Sequence, residues 1–460
     1  MVDYLTAEEV RAWQPYPLAP DGVTPRKRAR RRMELTGQWA PWQALGRRMA
    51  IGCVALEITQ RCNLDCTYCY LSESSEALKD IPIEEVFRRV DMIFEHYGAG
   101  TGVQVTGGDP TLRKRDELLQ IVRYIKSKDM RASLFTNGIK ATRSLLEALC
   151  EAGLEDVAFH VDLTQRRKGY NTEAELNAVR QAYIERARGL PLSVFFNTTA
   201  YPGNFHELPA LVRFFIANCD VVRLCSFQLG ADTGRGVQRQ RVTVSAETVL
   251  AAIQEGAQAK LNFGAASAGH SACNRYAYGI VCNGRVYDFY GDPAFVHKML
   301  AATAHLKFDR ADKRRAVATM IDFLLRNPRL LAGFASRAAK AAWSGRRDLL
   351  AAKGKVGKLS FFVHNFMDAC QLDRERAEAC SFMVMTPQGP MSMCVHNAKR
   401  DDYLLVPAML KKEHKVMFFN PVTGRLQADK PDKLAVTVTR KNARGRAGKT
   451  SQTSAEHISK

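Results

Sequence analysis

Cys62-Asn63-Leu64-Asp65-Cys66-Thr67-Tyr68-Cys69-Tyr70 follows the apolar run at 54–59, Val-Ala-Leu-Glu-Ile-Thr, with only Gln60 and Arg61 between them. The spacing is Cys-x3-Cys-x2-Cys. Three thiolates this close can each take one iron of a four-iron cluster. The fourth iron then has no protein ligand and is open to chelation by a small molecule. Two blander readings stand beside this one. A zinc knuckle would want a fourth ligand nearby, and the thiols could simply be buried. Neither explains an aromatic residue inside the loop or the pattern that follows it.

That pattern is a repeat of short β-branched runs and longer helical ones. The runs fall at 54–59, 102–106, 132–136, 156–161, 192–197 and 221–227, and helical periodicity at 83–97, 114–128, 142–152, 173–188 and 205–218. Strands alternating with helices predict parallel β-α units. Six strands in this length predict an α/β fold, a partial (βα)6 TIM-like barrel, whose reactive residues sit at the C-terminal strand ends. Several runs end in polar or glycine-rich residues. The second is followed by Thr106-Gly107-Gly108-Asp109-Pro110-Thr111, and the third leads into Phe135-Thr136-Asn137-Gly138. The fourth ends at His160-Val161-Asp162 and the fifth at Asn197. Two adjacent glycines let the backbone approach a ligand closely. Taken alone, each glycine stretch is only a turn, and a lone histidine is more often a satisfied structural residue.

Taken together, these stretches resemble the radical S-adenosylmethionine (radical SAM) enzymes over roughly residues 50–230. The resemblance implies that Cys62, Cys66 and Cys69 bind a [4Fe-4S] cluster whose open iron holds the amino and carboxylate groups of SAM. It also implies reductive cleavage of SAM to a 5′-deoxyadenosyl radical, with a flavodoxin- or ferredoxin-type electron donor. Gly107-Gly108-Asp109 is similar to the family's Gly-Gly-Glu-Pro stretch, with Asp109 in place of the usual glutamate. Tyr68, Gly107, Gly108, Asp109, Thr136, Asn137, His160, Asp162 and Asn197 are the SAM-site residues the resemblance implies. It names no catalytic side chain beyond these.

A narrower resemblance rests on Phe159-His160-Val161-Asp162-Leu163-Thr164-Gln165, Gly234-Arg235-Gly236 and His364-Asn365-Phe366-Met367-Asp368, continued by Cys380, Pro387, Gly389, Cys394 and Asn397. These look like the tetraether lipid synthases, some of whose relatives have been called pterin methyltransferases. The implied substrate is a lipid chain, attacked at an unactivated C–H bond and joined through carbon–carbon bond formation. A peptide or a pterin is the alternative substrate. A non-enzymatic iron–sulfur protein binding RNA is the reading outside catalysis, and nucleic acid is the less favoured partner.

Twelve cysteines are unusual for a chain that keeps its thiols reduced. Cys53, Cys150, Cys219 and Cys225 lie inside strand or helix patterns and read as core. Cys273 with Cys282, and Cys380 with Cys394, each bracket a turn. The four are expected to hold one auxiliary [4Fe-4S] cluster. Cys380-x8-Gly389-x4-Cys394 resembles the hairpin that opens the auxiliary-cluster domains of radical peptide maturases. Cys370 is a fifth candidate.

The net charge of +20 is unevenly placed. Arg26 to Arg32 supplies six cations without an acid, residues 298–358 carry fifteen cations against four acids, and the tail from Arg440 carries six against one. The rest is nearly neutral. No stretch reaches the ~18 apolar residues of a membrane span, and the N-terminus lacks a secretory pattern, so the expected location is cytoplasmic, at most peripheral to a membrane. The expected organisation is a basic extension at 1–50, the barrel at 51–264, cysteine segments at 265–297 and 359–437, a basic helical insertion at 298–358 and a disordered tail at 438–460. Within the insertion, Leu330, Leu331 and Phe334, with Trp343, form an apolar stripe among Arg337, Lys340, Arg346 and Arg347, a pattern suited to an anionic membrane surface.

Overall fold

The structure is a computed structural model that describes residues 2–18, 22–35, 51–236, 244–266, 268–306, 308, 313–412, 415–431, 434 and 436. The basic tail from 438 lies outside the described residues. Ahead of the first strand come α1 (Ala7–Ala12) and α2 (Pro25–Leu35). Thr6 and Glu9 cap α1 reciprocally: the Thr6 hydroxyl accepts from the Glu9 amide and the Glu9 carboxylate from the Thr6 amide. The basic run, expected to belong to an irregular stretch, is helical in α2, and Arg28 donates to the His96 carbonyl at 2.7 Å.

The six expected strands form as β1 (Cys53–Thr59), β2 (Gly102–Gly107), β3 (Arg131–Thr136), β4 (Leu154–His160), β5 (Ser193–Ala200) and β6 (Val222–Leu229). They pair in parallel, in chain order. Each is backed by a helix: α3 (Ile83–Tyr97), α4 (Arg115–Ser127), α5 (Arg143–Glu151), α6 (Glu173–Ala187), α7 (Leu208–Ala217) and α8 (Ala246–Ala257). Every residue of β1 is buried, as both faces of a parallel sheet require when helices cover one and the barrel interior the other. Leu56, Ile58, Val105, Leu134, Phe159 and Phe196 form its core with the inward faces of the helices.

The later segments extend this same sheet. β7 (Asn274–Cys282) and β8 (Arg285–Asp288) form the expected hairpin, with Asn283 and Gly284 both at positive φ. β9 (Gly357–Asn365) runs parallel to β6 and antiparallel to β7, while β10 (Phe382–Thr386) runs parallel to β1 and carries β11 (Gly389–Ser392) as an antiparallel edge. The two arms of the eleven-stranded sheet then meet. The Phe382 ring lies 4.8 Å from His364 and 6.0 Å from Phe362, and Asn274 donates to the Ser381 hydroxyl. The segments read as attachments therefore form the seam of the TIM-like barrel. Leu5 is buried at this seam with Met367, Leu372 and Cys394, so the N-terminus is built into it. A small sheet, β12 (Ala408–Lys412), β13 (Lys415–Phe419) and β14 (Leu426–Gln427), packs on Ile81.

The basic insertion contains α9 (Pro293–Ala302), α10 (Lys313–Leu325) and α11 (Pro328–Ser344), with Pro328 starting the last as expected. The expected outward stripe is corrected here. Leu330 is buried, and Leu331 and Phe334 pack with it against Phe323, Leu324 and Met299. These side chains fold the hairpin onto itself and are not a free face, although Trp343 is exposed. Among the described residues no helix is long and apolar enough to cross a membrane.

Candidate functional site

The cysteine loop leaves β1 and is pinned at its root. Thr59 and Arg61 both bind Asp80, and the Gly108 and Asp109 amides donate to the Thr59 and Arg61 carbonyls at 2.9 and 2.8 Å. A Cβ on Gly107 or Gly108 would fall 2.0 Å from those carbonyl oxygens, and Gly107 has φ of 122°. The glycine pair is thus required by contact with the loop that carries the thiols. Gly236 is required in the same way: a Cβ there would lie 2.4 Å from the Cys69 amide nitrogen.

Asp109 turns its side chain inward. Its carboxylate is fully buried and accepts from the Thr111 amide, the Thr136 hydroxyl at 2.8 Å and the Asn137 amide at 2.9 Å. It organises the turn after β3. That turn lets the Asn137 side-chain Nδ2 donate to Asn63 Oδ1 at 2.6 Å and places it 4.0 Å from the Cys62 sulfur.

Burial pushes the Cys62 thiol up to about 11 and the Cys66 thiol well above its usual value, and each thiol feels its neighbours. The buried Arg235 guanidinium opposes this: it hydrogen-bonds Cys69, acts on Cys62 and Cys66, and donates to Glu76 at 2.7 Å. Among the described residues no three His, Cys, Asp or Glu side chains converge on one ion. A four-iron cluster does not ask for that, because each thiolate binds a different iron. Three half-buried thiols on one loop, with one cation to offset their charge, fit such a cluster.

At the ends of β4 and β5, Asp162 is fully buried beside His160, whose Nε2 lies 2.7 Å from the carboxylate and 3.2 Å from the Thr199 hydroxyl. Asp162 also accepts from the Thr164 and Thr199 amides. Burial opposes its ionisation, but His160 and these donors outweigh it and hold the carboxyl at about 2. Asn197 is buried opposite His160 in the strand register. Tyr68 stands at the front of the loop, 5.5 Å from the Tyr201 ring, with Asp232 and Asp368 near enough to raise its phenol further than burial alone. Tyr70 donates to the Gly107 carbonyl at 2.6 Å under the guanidinium of Arg400, which is paired with buried Glu57. Arg235, Arg400, Tyr70, Tyr201 and the Asp232–Asp368 pair were not assigned roles by sequence reading. Arg235 lay in a quoted Gly-Arg-Gly, Tyr70 at the end of the cysteine loop and Asp368 in the His364–Asp368 stretch, and those were the available signals.

The second group of cysteines forms at the seam. Cys273, Cys380 and Cys394 line one small cavity with His270, His364, Met367 and Arg376. Arg376 donates to the Cys273 sulfur at 3.2 Å and the Met367 amide to the Cys394 sulfur at 3.5 Å. Burial raises the Cys394 thiol to about 12, with Cys380 and Cys273 adding to it. Cys282 is not part of this group. It ends β7, whose nine residues at about 3.3 Å rise each carry it roughly 26 Å from Asn274, the neighbour of Cys273, and its sulfur lies against the Lys355 carbonyl. Cys53 and Cys225 are buried as expected, and Cys370 is exposed.

A parallel α/β barrel with a three-thiol loop at its strand ends defines an enzyme-like cofactor scaffold. Residues 56–215 match the Radical SAM superfamily, so the chain carries a radical SAM domain. Proteins of this family are enzymes that use a [4Fe-4S] cluster and SAM. Relatives include a 7,8-dihydro-6-hydroxymethylpterin dimethyltransferase of Methanocaldococcus jannaschii, 28% identical over 39% of this chain and 36% of that protein. A probable GTP 3′,8-cyclase of Pyrococcus abyssi is 33% identical over 35% and 51%. A PqqA peptide cyclase of Bradyrhizobium diazoefficiens is 31% identical over 35% and 43%. The chain thus spans between about a third and a half of the length of these relatives. Among solved structures, Streptococcus suis SuiB bound to S-adenosylmethionine is 15% identical over 41% of this chain and 40% of that one, with a TM-score of 0.31.

Proposed function

We propose that this chain is a radical SAM enzyme that abstracts hydrogen from an unactivated C–H bond of a lipid chain and leads it to carbon–carbon bond formation. The observation that carries the radical reading is the loop of Cys62, Cys66 and Cys69 gathered around buried Arg235 at the barrel strand ends. When bound there, the cluster and SAM would supply the electron transfer and the 5′-deoxyadenosyl radical. The protein's own residues hold and shape that site. Arg235 offsets thiolate charge, and Asp109 fixes the Thr136–Asn137 turn against the loop. Ionised Asp162 fixes the His160 ring, with Asn197 beside it, on the side where the ribose and carboxylate of SAM would lie. Tyr68 and Tyr201 limit water at the front. The electron donor is proposed to be of flavodoxin or ferredoxin type. Cys273, Cys380 and Cys394 are proposed to hold the auxiliary cluster, with no fourth cysteine.

The lipid substrate rests on the residue pattern from His364 to Asn397, which lies in the seam. A second reading is favoured by the Asp232 and Asp368 carboxylates beside Tyr68, which suit the amine or hydroxyl groups of a peptide or a pterin. The relatives' names point to a pterin, GTP and a peptide. The test is anaerobic reconstitution followed by SAM, dithionite and a total lipid extract, with mass spectrometry of 5′-deoxyadenosine and of the lipids. Both 5′-deoxyadenosine and lipids short of two hydrogens per new bond are expected. 5′-Deoxyadenosine without any lipid change would remove the lipid substrate and leave the radical chemistry.

A further inference from the structure

We infer that the outer face of α10 is a docking surface for an anionic lipid bilayer, an inference whose purpose rests on the substrate being a lipid. The apolar arc of this helix is wider than a helix that only closes a hairpin needs. Met320, Phe323 and Leu324 pack toward α11 with Leu330, Leu331 and Phe334. Val317, Ile321 and Leu325 continue the arc beyond that contact, 57, 52 and 64% exposed. At about 100° per residue their four-residue spacing keeps them within about 80° of one another. An exposed tryptophan, Trp343, ends the partner helix with the Arg346 guanidinium 4.6 Å from its ring centre.

The charge around this stripe selects the occupant. Residues 313–347 hold nine lysines and arginines and a single acid, Asp322. Arg314 precedes the stripe, and exposed Arg326 and Arg329 follow it. The occupant must therefore be apolar at the centre and anionic around it. A second copy of this chain would bring the same cations face to face. A nucleic acid would meet the arginines but has no use for three aliphatic side chains. An anionic bilayer offers both, acyl chains for the stripe and headgroups for the cations, with tryptophan at the boundary.

The test uses the full chain, reconstituted, with vesicles of phosphatidylcholine alone or mixed with phosphatidylglycerol. The variant is the triple Val317→Ser, Ile321→Ser, Leu325→Ser, which removes the apolar stripe without adding charge and leaves the hairpin core intact. Wild type should sediment with the mixed vesicles, less so as salt rises and at least tenfold less with phosphatidylcholine alone. The triple variant should bind the mixed vesicles at least tenfold more weakly, while its thermal midpoint and its vesicle-free SAM cleavage match wild type. Wild type remaining in the supernatant overturns the inference, as does a triple variant that sediments like wild type. So does a wild-type dimer in solution that the variant abolishes, or RNA binding in place of vesicle binding. Absent SAM cleavage in wild type would instead strike the radical reading, and docking without a lipid product would strike only the substrate.

Discussion

Gly108 meets the Arg61 carbonyl so closely that an added methyl group, 2.0 Å from the oxygen, must displace the root of the cysteine loop. Gly108→Ala should destabilise the protein by about 1–3 kcal/mol and lower the iron held at Cys62, Cys66 and Cys69, read by iron analysis after reconstitution. Full iron content would contradict the packing role. Asp162 allows a pH test. Its carboxyl titrates at about 2 in the folded chain against an ordinary 3.8. A depressed carboxyl contributes stability that is complete above its ordinary value and lost as pH falls through the folded one. Between about pH 5 and about pH 2, the urea midpoint should therefore fall less steeply for Asp162→Asn than for wild type, and parallel slopes would contradict the assignment. At this scale the sequence showed which residues crowd the site better than what each one does. Asp109 stands where the family usually has glutamate, and its oxygens are taken by Thr111, Thr136 and Asn137. Nothing in a Gly-Gly-Asp-Pro string distinguishes a carboxylate turned to a ligand from one turned to its own turn.

Strands β1 to β6 and their helices were legible because β-branched runs alternate with helical periodicity at short range. β9 and β10 were not, because each joins the sheet through partners over a hundred residues away, Leu224–Leu229 and Cys53–Ala55. The cysteine pairing failed for a related reason. Cys273 and Cys282 were expected to bracket a turn, but a nine-residue strand lies between them and the turn follows Cys282, so the two are parted. Amphipathicity in α11 likewise could not say which neighbour covers its stripe, and α10 covers it. Iron analysis separates the two cysteine groups. With about four irons per cluster, wild type should hold about eight, and the Cys62→Ala, Cys66→Ala, Cys69→Ala triple variant about four. Cys380→Ala should lose the other half, and Cys282→Ala should lose none. A loss of half the iron in Cys282→Ala would restore the four-cysteine grouping.

Across the whole molecule, the N-terminal segment meets residues 374–399 at the seam. Arg374 pairs with Asp3 and Glu9, Lys399 donates to the Arg11 and Trp13 carbonyls, and Leu5 is buried beside Cys394. The N-terminal segment therefore braces the seam that carries Cys394. Leu5→Asp would bury a charge among apolar side chains, which costs several kcal/mol unless the segment lifts away. The expected result is loss of the seam's iron with the Cys62–Cys69 iron retained. Equal retention at both sites would show that the seam does not depend on the N-terminus.

The most direct test of the whole account is 5′-deoxyadenosine formation by the anaerobically reconstituted chain with SAM and dithionite, measured beside Cys66→Ala. The account predicts product from wild type and none above background from the variant, whose circular dichroism should match wild type. Product from the folded variant at the wild-type level, or none from iron-replete wild type, would contradict it.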